Sequence, residues 1–186
     1  GASSLSSISL TIYGTSWRDN IEGSSKADII YGYDGNDAIH GLGGADQIDA
    51  GAGNDLVFVK ASSLTDYTKL DGGTGSDTLN FSNPENGGMG SFPTEAAITF
   101  SLASSGITQN FENIAGSRYD DQLTGDNNGN IIVGNGGADN ISGAEGDDYL
   151  YGDGSSNATY ADQKAHRNGD YNLNSWGGNN DNLSGG

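Results

Sequence analysis

The sequence predicts an all-β solenoid, in which very short strands and tight turns alternate along stacked coils. Three observations predict it: a frame that repeats every nine residues, glycine at fixed places of that frame, and one aliphatic residue per repeat. The frame reads Gly-x-x-Gly-x-Asp-x-Ile-x and is clearest over residues 32–40 and 41–49. A short, phase-locked period of this kind is typical of solenoids, whose repeats bury a core by stacking on one another.

Two blocks of the sequence carry the frame. The first covers residues 14–58 in five units, and the second covers residues 116–151 before it decays over 152–160. A shift of 102 residues places the second block on the first, which indicates an internal duplication. In both blocks the first two units lack glycine at the fourth place, where they carry Trp17, Lys26, Tyr119 and Asn128.

Each nine-residue unit divides into a turn and a strand. Glycine at the first and fourth places allows backbone conformations that other residues avoid, so places one to six predict a tight turn. Places seven to nine predict a short strand whose central aliphatic residue points inward. Two units then complete one coil of 18 residues, and successive coils stack about 4.8 Å apart.

We expect three regions along the chain. Residues 1–59 contain an N-terminal cap strand and the first block. Residues 60–115 form an irregular connecting and capping segment with a single repeat at 72–80. Residues 116–186 contain the second block with an insertion at 161–175, and the sequence ends within a repeat, which indicates a piece of a longer protein.

Several packing roles outside the repeat core are also predicted. Residues 8–13 alternate, so Ile8, Leu10 and Ile12 should lie on one face of a strand that covers the open end of the solenoid. We expect Trp17 and Tyr119 to cover the entry end of the first and second blocks, respectively. His40 occupies an outward place of its repeat and is predicted to lie on the surface.

Composition excludes several classes of protein. Only 33% of the residues are hydrophobic, so a large conventional core is excluded, and the periodicity argues against the disorder that a net charge of -18 would otherwise favour. This charge argues against a nucleic-acid partner and favours cations. There is no cysteine and no long apolar run, so we predict no disulfide and no membrane span. The sequence contains no recognisable catalytic motif, and we predict that the chain is not an enzyme.

Stacking of the coils predicts a metal site in the turns. An Asp at the sixth place lies beside the residue 18 positions further on, which pairs Asp19 with Asp37, and Asp37 with Asp55. Two adjacent carboxylates surrounded by turn carbonyls form an oxygen-only site, which suits Ca²⁺ rather than Zn²⁺. Because the paired charges repel one another, we expect the ion-free chain to be largely unfolded.

The two blocks and the single repeat resemble the RTX family, the glycine-rich nonapeptide repeats of secreted bacterial proteins. The resemblance covers residues 14–58, 72–80 and 116–151. It implies a parallel β-roll that binds several Ca²⁺ ions, export by a type I secretion apparatus, and folding outside the cell. The calcium-ligating Asp of that family corresponds most directly to Asp37, Asp46, Asp55, Asp139 and Asp148.

Further candidate ligands lie at the sixth place of the other units and among the turn oxygens. They are Asp19, Asp28, Asp121, Asp77, Asn130, Gly32, Asp34, Gly41, Gly43, Gly51, Gly53, Gly134 and Gly136. Within the first units of each block, Arg18, Lys26 and Arg118 would compete with a cation. We therefore expect partial neutralisation by these bases, and weaker calcium ligands at the sixth place of those turns.

Two functions are compatible with these residues. The first is a structural, calcium-dependent folding module of a secreted or cell-surface protein such as an adhesin or toxin. The alternative is a carbohydrate- or peptide-binding module that resembles the repeat modules attached to alginate-modifying enzymes. The insertion at 161–175, which carries Lys164, His166 and Arg167, would be the contact region for a surface glycan or peptide.

Overall fold

The computed structural model shows an all-β chain. The residues that it describes are 8–59, 64, 67–82, 96–104, 106–153, 171–173 and 182–184. They form parallel β-strands joined by turns, with one short 3₁₀ turn at Leu102–Ser104. The chain divides into two compact units, the first made of Gly1–Thr94 and Ser105–Phe111 and the second of Glu95–Ser104 and Glu112–Gly186. The predicted fold class, a parallel β-solenoid, is confirmed.

The first unit contains two parallel ladders, because successive strands alternate between two walls. Ladder A has the order β1 (Thr11–Tyr13), β3 (Ile29–Tyr31), β5 (Asp46–Asp49), β7 (Tyr67–Asp71) and β10 (Thr108–Gln109). Ladder B has the order β2 (Asn20–Glu22), β4 (Ala38–His40), β6 (Leu56–Phe58) and β8 (Thr78–Asn80).

The second unit repeats this arrangement with two ladders of its own. Ladder C has the order β11 (Asn113–Ala115), β13 (Ile131–Asn135), β15 (Tyr149–Asp153) and β16 (Tyr171–Leu173). Ladder D has the order β9 (Thr99–Ser101), β12 (Gln122–Thr124), β14 (Asn140–Ser142) and β17 (Asn182–Ser184).

The eighth-place aliphatic residues form the core, as predicted. In register, Ile12 pairs with Ile30 and Ile30 with Ile48, so one coil is 18 residues long. The eighth-place side chains with at most 1% exposure are Ile30, Ile39, Ile48, Val57, Leu79, Leu123, Ile132, Ile141 and Leu150. Within the repeat units, each strand therefore contributes one aliphatic residue to its core row, stacked directly on its neighbour one coil away.

Residues 60–115 lie partly in the first unit and partly in the second. Strand β7 rejoins ladder A through a longer coil that pairs Ile48 with Leu70, and the register shifts between Asp46 and Gln47. Tyr67 and Leu70 are buried. The extra residues are therefore accommodated without interrupting the core.

The prediction of a cap strand over residues 8–13 is only partly correct. The strand in this region is β1, and it pairs in parallel with β3, so it is the edge strand of ladder A and part of the solenoid wall. Ile8 is 49% exposed, Trp17 79% and Tyr119 37%, so none of these side chains is buried at the end of a core as predicted.

The prediction of a surface position for His40 is wrong. His40 is fully buried, and its ring lies edge-on to Phe58 with the centroids 5.8 Å apart. Burial lowers the pKa of His40 to about 4. The ninth places of β4, β6 and β8 are all buried, whereas Tyr13 at the same place of β1 is exposed. Both faces of these ladder B strands are therefore covered, which the apolar Phe58 at an outward place already indicated.

Two sequence predictions fall on other parts of the chain. The insertion at 161–175, with Lys164, His166 and Arg167, lies outside the described residues. Within the part that the structure describes, no helix is long and apolar enough to span a membrane.

Candidate metal-binding turns

The sixth-place side chains of both blocks lie in two kinds of turn at the edges of the ladders, and nearly all are buried. Exposure is 2% or less for Asp28, Asp37, Asp46, Asp55, Asp77, Asp121, Asn130, Asp139 and Asp148. Burial of a carboxylate is unfavourable unless hydrogen bonds or a cation compensate its charge. Each turn can therefore be described by the groups that compensate the charge of its buried carboxylate.

One hydrogen bond recurs between stacked turns. The backbone N–H of each sixth-place residue donates to Oδ1 of the sixth-place residue on the next coil. The acceptors are Asp37 (2.8 Å from Asp19), Asp46 (2.9 Å from Asp28), Asp55 (2.8 Å from Asp37), Asp77 (2.8 Å from Asp55), Asp139 (2.9 Å from Asp121) and Asp148 (2.8 Å from Asn130). The predicted stacking of sixth-place residues is confirmed, and it compensates one oxygen of each acceptor.

Six turns share an unusual backbone, and we call them open turns. They span residues 32–37, 41–46, 50–55, 72–77, 134–139 and 143–148. Each has positive φ at its second and fourth places, as at Tyr33 (74°) and Gly35 (130°). Glycine is required at the fourth place for a second reason: a Cβ on Gly53 would collide with the carbonyl oxygen of Gly35, one coil away.

The second carboxylate oxygen in the open turns defines the candidate site. Oδ2 of Asp37 and Oδ2 of Asp55 are buried and accept no hydrogen bond. Burial raises the pKa of both carboxyls, and the negative charge of the Asp one coil earlier raises it further. A Cβ added to Gly32 would lie 2.7 Å from Asp37 Oδ2, so this oxygen faces a space that glycine leaves open. A buried, charged oxygen beside such a space is a ligand position for a cation.

The remaining oxygens are those of the backbone. No group of three or more His, Asp or Glu side chains gathers in the described part of the chain. Gly51 O accepts the N–H of Thr74 at 2.8 Å, and Gly41 O accepts that of Gly43 at 3.1 Å. A carbonyl has two lone pairs, so both can still bind a cation. One carboxylate oxygen per turn with several carbonyls fits Ca²⁺, which prefers oxygen ligands and supplies positive charge between the stacked carboxylates.

The other predicted turn oxygens lie in different environments. A Cβ added to Gly134 would collide with Oδ2 of Asp139 in its own turn, as one added to Gly32 would with Oδ2 of Asp37. A Cβ on Gly43 would meet nothing within 4 Å. Asp34 is exposed and forms an isolated parallel bridge with Ala52. The predicted glycine ligands and Asp34 nevertheless all lie in open turns.

Four other turns, which we call closed turns, satisfy the sixth place internally. They span residues 14–19, 23–28, 116–121 and 125–130, and are the first two turns of each block. In each, the second-place N–H donates to the sixth-place side chain. These bonds are Thr15 to Asp19 Oδ2 (2.5 Å), Ser24 to Asp28 Oδ2 (2.5 Å), Ser117 to Asp121 Oδ2 (2.6 Å) and Asp126 to Asn130 Oδ1 (2.8 Å).

The second-place side chain completes each closed turn. Its oxygen accepts the fourth-place N–H in all four turns: Trp17 to Thr15 (3.1 Å), Lys26 to Ser24 (3.1 Å), Tyr119 to Ser117 (3.1 Å) and Asn128 to Asp126 (2.8 Å). Short polar side chains commonly hold turns through such bonds. The sequence signal that we missed was this residue type, because Ser, Thr or Asp stands at the second place of every closed turn.

Compensation in the closed turns differs from the expected one. The expectation named Arg18, Lys26 and Arg118, whereas the bonds that the structure shows to the carboxylates come from N–H and hydroxyl groups of the same turn and from an N–H on the neighbouring coil. The guanidinium of Arg118 lies over the ring of Tyr119, 5.3 Å from its centroid. Burial raises the pKa of Asp121 despite the N–H donors of Ile98 and Ser117.

Comparison with known proteins agrees with this geometry. The family model described as RTX calcium-binding nonapeptide repeat (4 copies) matches residues 13–48, 22–57 and 124–157. A search of curated proteins gave no significant match. The matched residues include closed and open turns of both blocks, and they form parallel coils of the predicted length. Residues 13–57 and 124–157 are therefore RTX calcium-binding nonapeptide repeats, and the parallel ladders of the described residues support an RTX β-roll domain.

Proposed function

We propose that the module is a calcium-driven folding switch with a structural rather than a catalytic role. The observation that carries the proposal is the buried Oδ2 of Asp37 and Asp55, which accepts no hydrogen bond in the folded chain. Folding brings these carboxylates into apolar surroundings and close to one another, which is unfavourable unless a cation binds. Calcium binding and folding are therefore coupled in a single process.

The overall charge favours the same behaviour. A chain with a net charge of -18 and 33% hydrophobic residues repels itself and gains little from burial before a cation binds. Low calcium leaves such a chain extended, whereas a calcium-rich solution stabilises the rolled state by mass action. The switch thus depends on the calcium concentration around the protein.

This dependence is suited to a protein that is exported before it folds. In the cytosol the chain remains extended for a type I secretion apparatus, and extracellular calcium folds and stiffens it after export. We propose that the parent protein is secreted or held at the cell surface, where a rigid, acidic module acts as a spacer in an adhesin or toxin. Extracellular calcium modules bind with Kd values on the order of 10⁻⁴–10⁻³ M, and we expect this range.

A calcium titration followed by far-UV circular dichroism tests the proposal. We expect a largely unfolded spectrum in excess chelator and a cooperative change to β-structure as calcium is added. Magnesium at the same concentrations is the control, because its smaller, strictly octahedral coordination does not suit carbonyl-rich turns. A chain that is fully folded in excess chelator would refute calcium-driven folding.

A further inference from the structure

We propose that the closed turns are calcium-free turns, in which the chain's own hydrogen bonds replace an ion. They lie at the N-terminal side of each block, so each array of calcium sites starts from a coil whose turns are complete without metal. The inference rests on the proposed coupling of calcium to the open turns, and it restricts that coupling to them.

The first observation is the direction of the hydrogen bonds. In the closed turn 14–19, Asp19 Oδ2 accepts both the N–H and the hydroxyl of Thr15, at 2.5 and 2.9 Å. Both donors present a positive hydrogen where a cation would have to approach. In the open turn 32–37, one coil away, the corresponding Asp37 Oδ2 accepts no hydrogen bond. A cation at the closed turn would therefore first have to break two bonds to the oxygen that it needs.

The second observation is a natural replacement of the carboxylate. Asn130 stands at the sixth place of a closed turn, where its Oδ1 accepts the Asp126 N–H and its Nδ2 donates to Glu112 O at 2.9 Å. All six open turns carry Asp at this place. A neutral amide satisfies the hydrogen bonds of a closed turn but would weaken a calcium site, since charge is the main attraction for the ion.

The third observation is the distribution of positive charge within the turns. Arg18, Lys26 and Arg118 all lie in closed turns, and no Lys or Arg occurs in the six-residue open turns. A fixed cation beside a calcium ion is unfavourable, whereas beside a carboxylate that is already hydrogen-bonded it is tolerated. All four closed turns thus bind the sixth-place side chain internally; three of them carry a base, and the fourth carries an amide in place of the carboxylate. No open turn carries a base or a sixth-place amide.

A consequence of this inference is that the calcium sites of each block fill in a fixed order. The closed turns can form before calcium arrives, because their compensation comes from residues two to four positions away in sequence. The formed closed turns would give the first open turn a coil to stack on. The hydrogen bond from the Asp19 N–H to Asp37 Oδ1 joins a closed turn to an open turn in this way. Calcium sites would then fill away from the closed turns.

A matched pair of substitutions in the full chain tests the inference. Asp19→Asn keeps an acceptor for the Thr15 N–H, and Asp37→Asn keeps an acceptor for the Asp19 N–H, so both preserve the main hydrogen bond. Bound calcium per chain is measured by equilibrium dialysis at saturation, and the folding midpoint by circular dichroism. We expect Asp19→Asn to bind as many ions as the parent chain, and Asp37→Asn to lose at least one and to fold at about tenfold more calcium. Loss of an ion in Asp19→Asn would overturn the inference.

A second variant removes the closure instead of the carboxylate. Thr15→Gly with Trp17→Gly deletes the hydroxyl and allows positive φ at both places, so we expect the turn to open and the chain to gain one ion. A folded double variant that binds no more calcium than the parent chain would also overturn the inference. If the parent chain itself binds no calcium, the proposed function fails, and this result is distinct from both outcomes above.

Discussion

Open and closed turns occupy the same places of one nine-residue frame, yet they compensate a buried carboxylate in different ways. Asp28 and Asp37 are 1% and 2% exposed, so both carboxylates have left water almost completely. Asp28 Oδ2 accepts the Ser24 N–H at 2.5 Å, whereas Asp37 Oδ2 accepts no hydrogen bond. The hydrogen bonds of the closed turn and the positive φ values of the open turn both lie at the second and fourth places. Two residues per repeat therefore decide whether the chain or a cation stabilises the turn.

The largest effect that tests this difference is expected at the fourth place of an open turn. Gly53 has φ of 141°, and a Cβ there would collide with Gly35 O. Gly53→Ala combines an unfavourable backbone conformation with a steric clash, so we expect a loss of about 2–5 kcal/mol in the free energy of unfolding. Urea unfolding at saturating calcium measures it.

Gly43→Ala is the matched control for this substitution. Gly43 lies in the open turn 41–46, has no positive φ, and its added Cβ would meet no atom within 4 Å. We expect a change within about 1 kcal/mol. Equal losses in the two variants would contradict the view that the second and fourth places fix the open conformation.

The second place should respond to glycine with opposite signs in the two kinds of turn. Ser24→Gly removes the acceptor of the Lys26 N–H and should destabilise the closed turn by about 1–2 kcal/mol. Ala144 holds φ of 71° in an open turn, so Ala144→Gly should relieve strain and stabilise by about 0.5–1 kcal/mol. The same urea unfolding measurement decides the sign, and destabilisation in both variants would contradict the comparison.

Core substitutions should not distinguish the two kinds of turn. Ile30 follows a closed turn and Ile48 follows an open turn, but both are fully buried and pair with each other in ladder A. Ile30→Val and Ile48→Val should each cost about 0.5–1.5 kcal/mol. Free energies of unfolding that differ by more than about 1 kcal/mol would show that the turn type also alters packing of the core.

The repeat frame made most of the fold predictable from sequence. One aliphatic residue at a fixed place defined the core rows, and the register of Ile30 with Ile48 followed from the coil length. The burial of His40 was not predictable in this way. Its ninth place points away from the core row, and its burial depends on how ladder B is covered in the folded chain.

The candidate site was predictable at the level of residue type and less so at the level of bonding. Regular spacing located Asp37 and Asp55, because stacking follows from the period. The internal bonds of Ser24 and Asp28 were missed, since a serine in a glycine-rich turn resembles a spacer until its N–H and hydroxyl are placed. The bases Lys26 and Arg18 did mark the turns that differ from the others. The carboxylates of these turns, however, are compensated by hydrogen bonds from N–H and hydroxyl groups rather than by the bases.

The smallest effect is expected for carboxylates on the strand face, outside the turns. Lys69 Nζ lies 2.8 Å from Asp71 Oδ2 and 4.0 Å from Asp49 Oδ2, and the Lys69 side chain is 35% exposed. Burial alone would raise the pKa of Asp71, but hydrogen bonds from Lys69 and Asn110 lower it overall. The pair therefore contributes stability at neutral pH, and this contribution is lost as the pH falls through the lowered pKa.

Lys69→Gln should cost about 0–1 kcal/mol in the free energy of unfolding, less in high salt, and should raise the pKa of Asp71 in an NMR titration. A loss as large as that of Gly53→Ala would mean that charge on the strand face, and not only in the turns, governs folding of the roll.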